Sequence, residues 1–350
     1  MLFRSSLHQM NLNLTKRESI TSRLLLISPF FLWGTAMVTM KAVMPNTTPL
    51  FVAGVRLVPA GLLVLTVATC TGRKSPQGWK AWLWISFFAL VDGLMFQGFL
   101  AEGLMRTGAG LGSTIIDSQP LAVALLSSWL FAEVIGFWGW LGLIIGILGI
   151  SFIGLPDSWF LGILTSNSFT FSFSWLSLLK TSGELWMLLA SLSMAVGTVT
   201  IRFVSRYVDA VVATGWHMIL GGFPLLLTSL FCESQPWQNL TLEGWLGLTY
   251  TTVFGSAIAY GVFFFLAAEG NLTSLSSLTF LTPVFALTFS NLFLGEVLTF
   301  WQWIGVALTL VSIYLINQRE QISQKFKLKE LLKDGGNGKN TSATTGESNT

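Results

Sequence analysis

Few residues in this sequence can do ionic or acid–base chemistry, and several of them stand inside long apolar runs. Asp92 reads Leu-Val-Asp-Gly and Asp117 reads Ile-Ile-Asp-Ser, while Lys41 and Arg56 lie in two earlier runs. A charge in an apolar medium is costly unless a partner or a ligand compensates it, so each of these is a functional candidate. Two readings stay open: the two cations and two carboxylates neutralise one another, or Asp92 or Asp117 meets a cationic or zwitterionic substrate or a coupling proton. Lys41, at the end of its run, has a stem long enough to carry its ammonium outward. His217, in a later run, is either a hydrogen-bonded packing residue or a proton relay. Trp33, Gln97, Gln119, Tyr260 and Asn291 fall near the middle of their runs. They supply the few directional groups that a small-molecule cavity needs among apolar walls.

Other chemistries lack their residues. Neither aspartate carries the Gly-x-Gly-Asp element of an intramembrane aspartyl protease, and no His-Glu-x-x-His, phosphate-binding Gly-Lys loop or Gly-x-Ser-x-Gly elbow occurs. An enzyme is therefore not expected, nor is a cofactor or a metal site. No ring of like charges or filter motif speaks for a channel, which stays as the alternative together with a structural membrane protein. Cys70 and Cys232 offer no disulfide framework. The net charge of +3 is dispersed over loops and termini, which excludes nucleic acid as a partner.

The elements that must hold these residues follow from composition. With 52% hydrophobic and 10% charged residues, the chain has too little polar surface to cover a soluble globule. A spanning helix needs about 20 mainly apolar residues. Ten windows qualify, at 24–44, 51–70, 80–101, 110–132, 136–155, 184–204, 211–231, 244–266, 272–294 and 299–317. An all-α integral membrane protein with the lipid bilayer as its first partner is the expectation. Lys and Arg accumulate on one side, leaving only Arg106 and Lys180 in loops opposite, so both termini are expected in the cytoplasm and the protein in the cell membrane. Residues 1–23 read as a cytoplasmic segment before an uncleaved first helix; an organellar transit peptide is the lesser reading, disfavoured by Glu18.

The chain repeats itself. A shift of 163 residues lays Gly34-Thr35 on Gly197-Thr198, Gln97 on Tyr260, Gly98 on Gly261, Pro120 on Pro283 and Glu133 on Glu296. Helices 2 and 7 need two residues less, which pairs Arg56 with His217. Five helices per repeat is an odd number, so the second repeat must be inverted relative to the first, a recurring plan of alternating-access carriers. Pro120 and Pro283 then fall at mirrored depths, either as packing kinks or as hinges beside a cavity. Each frees the carbonyl four residues back, at Ile116 and Thr279. Glu133 and Glu296 are read as structural turn residues. Gly139, Gly142, Gly146 and Gly149 allow close helix approach, either within the protomer or at a homodimer face. The domains read as 24–155 and 184–317, joined by an external, interfacial 156–183 and followed by a basic, then disordered, tail at 318–350.

The blocks Ser118-Gln119-Pro120-Leu121 … Phe131-Ala132-Glu133 and Leu281-Thr282-Pro283-Val284 … Leu294-Gly295-Glu296 each run thirteen residues from Pro to Glu before a glycine-bearing last helix. This duplicated pattern resembles the EamA family of the drug/metabolite transporter superfamily. The resemblance implies a ten-helix inverted-repeat secondary transporter with its cavity between the halves. It also implies a small-molecule substrate, amino acids or related metabolites, often exported. It implies no particular substrate. Ala132, where the second block has Gly295, and the long 156–183 connection depart from the pattern.

Overall fold

The computed structural model describes residues 20–106, 109–154, 183–294 and 299–340, and every regular element among them is a helix. Apolar runs of this length fold so because a helix satisfies all of its backbone groups internally, which nothing outside a segment in lipid would do. In order they are α1 (Ile20–Val43), α2 (Pro49–Cys70), α3 (Gly78–Arg106), α4 (Ala109–Ile116), α5 (Gln119–Phe131), α6 (Gly136–Gly154), α7 (Gly183–Val204), α8 (Ala210–Cys232), α9 (Leu242–Glu269), α10 (Leu272–Ser277), α11 (Leu281–Leu294) and α12 (Phe300–Asn340). Among the described residues seven segments are long and apolar enough to cross a membrane, in α1, α2, α3, α7, α8, α9 and the α10–α11 pair. Gln119–Phe131 and Gly136–Phe152 are shorter apolar helices. Large apolar side chains such as Leu62, Val67, Leu83, Phe87, Phe223 and Leu227 stand exposed on the outer faces, as lipid contact requires.

The structure departs from the sequence reading in three places. The window at 110–132 is not one helix. Pro120 has no N–H for the Ile116 carbonyl, so the chain turns at Asp117–Ser118, with Ser118 N donating to Ile115 O at 3.2 Å and Leu121 N to Ser118 O at 3.1 Å. The freed Ile116 carbonyl accepts the Ser191 hydroxyl of α7 at 3.2 Å. At the corresponding place α10 gives way to a 3-10 turn, Leu278–Phe280, ahead of Pro283. Secondly, α3 and α9 each contain a π-helical stretch, Ala89–Phe96 and Thr251–Ile258. Such stretches concentrate at functional sites. Thirdly, α12 continues as helix to Asn340; residues 318–333 are mostly good helix formers without proline, whereas the Gly- and Asn-rich 334–340 stretch has no propensity that explains its helix. The 1–19 segment, the 156–182 connection and Glu296 lie outside the described residues.

Glycine lets the helices meet. A Cβ at Gly93 of α3 would lie 2.6 Å from the His217 carbonyl, and one at Gly221 of α8 would lie 2.4 Å from Gly93. The glycines of α6 face α12 within the same chain. A Cβ at Gly142 would meet Ile316 at 2.6 Å, and one at Gly149 would meet Thr309 at 2.7 Å. The Ser312 hydroxyl donates to the Gly142 carbonyl at 2.6 Å. Of the two uses open to these glycines, the structure therefore shows packing within the protomer.

Polar contacts also tie the repeats together at the two ends of the bundle. Just past α2, Arg73 pairs at 2.5 Å with Asp209, whose carboxylate caps the start of α8 by accepting from Val211 N and Val212 N. Just past α8, at the opposite end, Glu233 takes the start of α2, accepting from Thr48 Oγ1 at 2.6 Å, Leu50 N at 3.0 Å and Phe51 N at 3.1 Å. Glu133, past α5, accepts from Thr273 Oγ1 at 2.9 Å at the start of α10 and pairs with Arg202 at 3.2 Å.

Candidate functional site

Trp33, Ala36, Met37 and Met40 recur at helical spacing on α1, and that face forms one wall of a cavity in the middle of the bundle. Arg56 of α2, Phe96 and Leu100 of α3, Asp117 at the α4–α5 break, Met194 of α7, Tyr260 of α9 and Thr282 of α11 close it. Both repeats therefore contribute. About 40 Å³ is open to a water-sized sphere. That is room for roughly three waters.

Arg56 is 3% exposed. Its Nη1 donates to Met40 Sδ at 3.0 Å and its Nη2 donates to Gln97 Oε1, while Nε finds no partner among the described protein groups. Gln97 Nε2 in turn donates to the Tyr260 hydroxyl at 2.8 Å. These two residues are the pair that the 163-residue shift superposes, so equivalent positions of the two repeats touch each other. Trp33 stands edge-on to Tyr260 with ring centroids 5.0 Å apart. Asp117 is 4% exposed and accepts from Ser113 Oγ at 3.0 Å.

Among the described residues no ion pair joins Arg56 to Asp92 or Asp117. Direct pairing of Arg56 with either carboxylate, one form of the mutual neutralisation considered from sequence, is therefore absent among the described residues. The reason is geometric: Gln97 and Met40 occupy the guanidinium, Asp92 faces α8, and the Lys41 ammonium reaches the Leu104 carbonyl at 2.8 Å. Asp92 Oδ2 lies 3.1 Å from His217 Nε2, and neither residue lines the cavity. The Phe88 ring lies 4.1 Å from the imidazole and the Phe264 ring 5.5 Å from it.

The other expected site residues disperse. Gln119 Nε2 donates to Thr198 Oγ1 at 3.0 Å, tying α5 to α7 rather than facing the cavity. Pro120 and Pro283 are buried beside the two helix breaks. Asn291 belongs to α11, and its side chain lies outside the described residues. The lining residues not singled out from sequence are chiefly Met37, Met40, Met194 and Ser113. The α1 spacing was the one available signal for the first two, and an apolar helix with no polar face gives it little contrast.

An arginine and a carboxylate that share a small cavity without pairing suit a ligand that carries both charges. A guanidinium recognises a carboxylate in a fork, and a carboxylate takes an ammonium. The methionines and the aromatic face of Trp33 accommodate apolar groups of varied shape.

Comparison with known proteins adds an independent line. The model of the EamA-like transporter family matches residues 21–155 and 181–318. A curated protein of Synechocystis sp., named as an uncharacterized transporter, is 67% identical over 313 residues, 89% of this chain and 94% of its own. A WAT1-related chloroplastic protein of Arabidopsis thaliana is 52% identical over 296 residues, 83% of this chain and 68% of its own. An uncharacterized inner membrane transporter of Escherichia coli K12 is 23% identical, covering 83% of this chain and 89% of its own. A solved crystal structure superposes with a TM-score of 0.66 at 17% identity over 83% of this chain and 94% of that one, a likeness of fold.

Proposed function

The chain belongs to the EamA-like transporter family and is a multi-pass membrane protein. On that premise we propose that it is a secondary transporter of small zwitterionic metabolites, amino acids first among them. In this reading ten membrane-crossing helices form two inverted halves that rock about the central cavity, with both termini in the cytoplasm and the protein in the cell membrane.

The observation that carries this is the small cavity where Arg56 and Asp117 stand unpaired, between repeats that are tied to each other at both ends. The inversion is supported by a reciprocity. The residue just past α2 holds the start of α8 at one end, and the residue just past α8 holds the start of α2 at the other. An interface cavity open to only about 40 Å³ is too small for a metabolite, since ligand sites run to roughly 300 Å³ or more. Loading thus requires one end to part, as alternating access demands.

The test is counterflow in proteoliposomes preloaded with L-methionine, L-phenylalanine, L-lysine or L-glutamate. A carrier of this kind exchanges a neutral apolar L-amino acid saturably and prefers it to the D-form. A conductance that does not saturate would replace the carrier with a channel.

A further inference from the structure

The pair Asp92–His217 is buried, couples the two repeats, and has no part in the cavity just described. Asp92 is 0% and His217 1% exposed. Asp92 Oδ1 and His217 Nδ1 find no partner among the described protein groups, although each can take or share a proton. We propose that this pair is a proton-binding site, separate from the substrate cavity, that holds one exchangeable proton.

Space determines the class of ligand. Three helices approach one another around the pair at glycines, with Phe88 and Phe264 against the imidazole. A Cβ at Gly197 of α7 would stand 2.4 Å from Asp92 Oδ1, one at Gly93 2.6 Å from the His217 carbonyl, and one at Gly221 2.4 Å from Gly93. None of these positions has room for a Cβ, so packing this close around the pair suits a proton rather than a metabolite. Two ligands are also too few for a metal ion, and among the described residues no third His, Cys, Asp or Glu joins them.

Charge gives the proton its purpose. With both carboxylates ionised and the imidazole neutral, Arg56, Asp92 and Asp117 leave the buried centre with one negative charge in excess. One proton on the pair brings it to zero, which a low-dielectric interior favours. The proton comes from water, adds to Nδ1 or Oδ1, and returns to water on release. Carboxylate with imidazolium and carboxylic acid with imidazole carry the same net charge, so the location of the hydrogen does not alter the balance. The ionisable neighbours on the packed helices are Arg56 of α2, held by Gln97, and Tyr260 of α9, also held by Gln97. On α7 they are Glu184 at its start and Arg202 at its end. Gln97 follows Asp92 by five residues across the π-helical stretch of α3, the repeat that returns to the same face. The hydrogen-bonded chain that orients Arg56 is therefore next to the proton's position.

The chain has two histidines, His8 and His217. In a His8→Gln variant of the full chain, 15N solid-state NMR in lipid nanodiscs therefore reads His217 alone, and no substrate is needed. Between about pH 5 and 9 its ring signals are expected to pass through one step, with an infrared carboxyl band changing at the same midpoint. Asp92→Asn removes the band and moves the His217 midpoint by about one unit or more. Ring signals constant over the whole range would overturn the proposal without any need for the second variant. So would a His217 step that Asp92→Asn leaves in place. Failure here leaves the carrier reading standing, since that fails only on flux.

Discussion

Arg56 and Lys41 show how similar charges acquire different tasks. Lys41 donates to the Leu104 carbonyl, whereas Arg56 is held by Gln97 and Met40 at the cavity wall. Lysine is a point charge on a flexible stem and cannot reproduce a planar fork held at two nitrogens. In Arg56→Lys the saturable counterflow of a neutral amino acid should fall by about tenfold or more, equivalent to roughly 1.4 kcal/mol. Proteoliposome kinetics on variant and parent measure this. Wild-type flux in Arg56→Lys would remove the guanidinium from the binding site. Ala132 offers a second residue-scale case. It sits at φ 52°, in the left-handed region, just past α5. The repeat has glycine at the equivalent position, Gly295. An L-side chain there costs energy that glycine avoids, so Ala132→Gly should stabilise the protein by about 0.5–1 kcal/mol despite the entropy glycine loses on folding. Thermal unfolding in detergent reads the difference.

Helices were the most legible part of the sequence, because apolar length is a strong signal and each described window contains helix. The prolines at 120 and 283 announced disturbed geometry, and Ile116 found its replacement donor in Ser191. The π-helical stretches were hidden, since an extra residue per turn depends on neighbouring helices and has no composition of its own. For the same reason the partner of Asp92 was hidden: His217 lies 125 positions away on a helix whose facing could not be read from an all-round apolar pattern. The repeat offset brought Gln97 and Tyr260 into correspondence but not into contact. The glycines of α6 were visible while their target was not. A Cβ at Gly146 would lie 2.2 Å from the Phe280 ring and 2.5 Å from Ser312 Oγ. Gly146→Val therefore forces α6 from α12 and should destabilise the fold by about 1–3 kcal/mol. Because that face is internal, the molar mass of the protein–detergent particle by light scattering should not change. A lowered oligomeric state in folded Gly146→Val protein would reassign the stripe to an interface between copies.

For the whole molecule, the two ends form a pair of latches that a carrier cannot keep shut together. Arg73–Asp209 ties α2 to α8 at one end, and Thr48–Glu233 ties the same two helices at the other. Both are engaged in this conformation, consistent with the small central cavity. If the halves rock, each latch must open once per cycle, and a covalent bond at either end should stop transport even though it lies far from Arg56 and Asp117. Cys70 and Cys232 are exposed and are first replaced by serine. In that background, Arg73→Cys with Asp209→Cys at one end, and Thr48→Cys with Glu233→Cys at the other, are each joined by a short bis-maleimide with an internal disulfide, because an ion pair made through an arginine side chain does not by itself bring two Cβ atoms to disulfide distance. Crosslinking of either double variant should reduce counterflow by about tenfold or more, and reduction, which cleaves the linker, should restore the rate of the same sample. Recovery on reduction separates a locked gate from a damaged fold, because the substitutions remain while only the bridge is lost. Counterflow that persists with one end fully bridged would mean that this end does not open, and the rocking of two inverted halves would have to give way to a path that bypasses it.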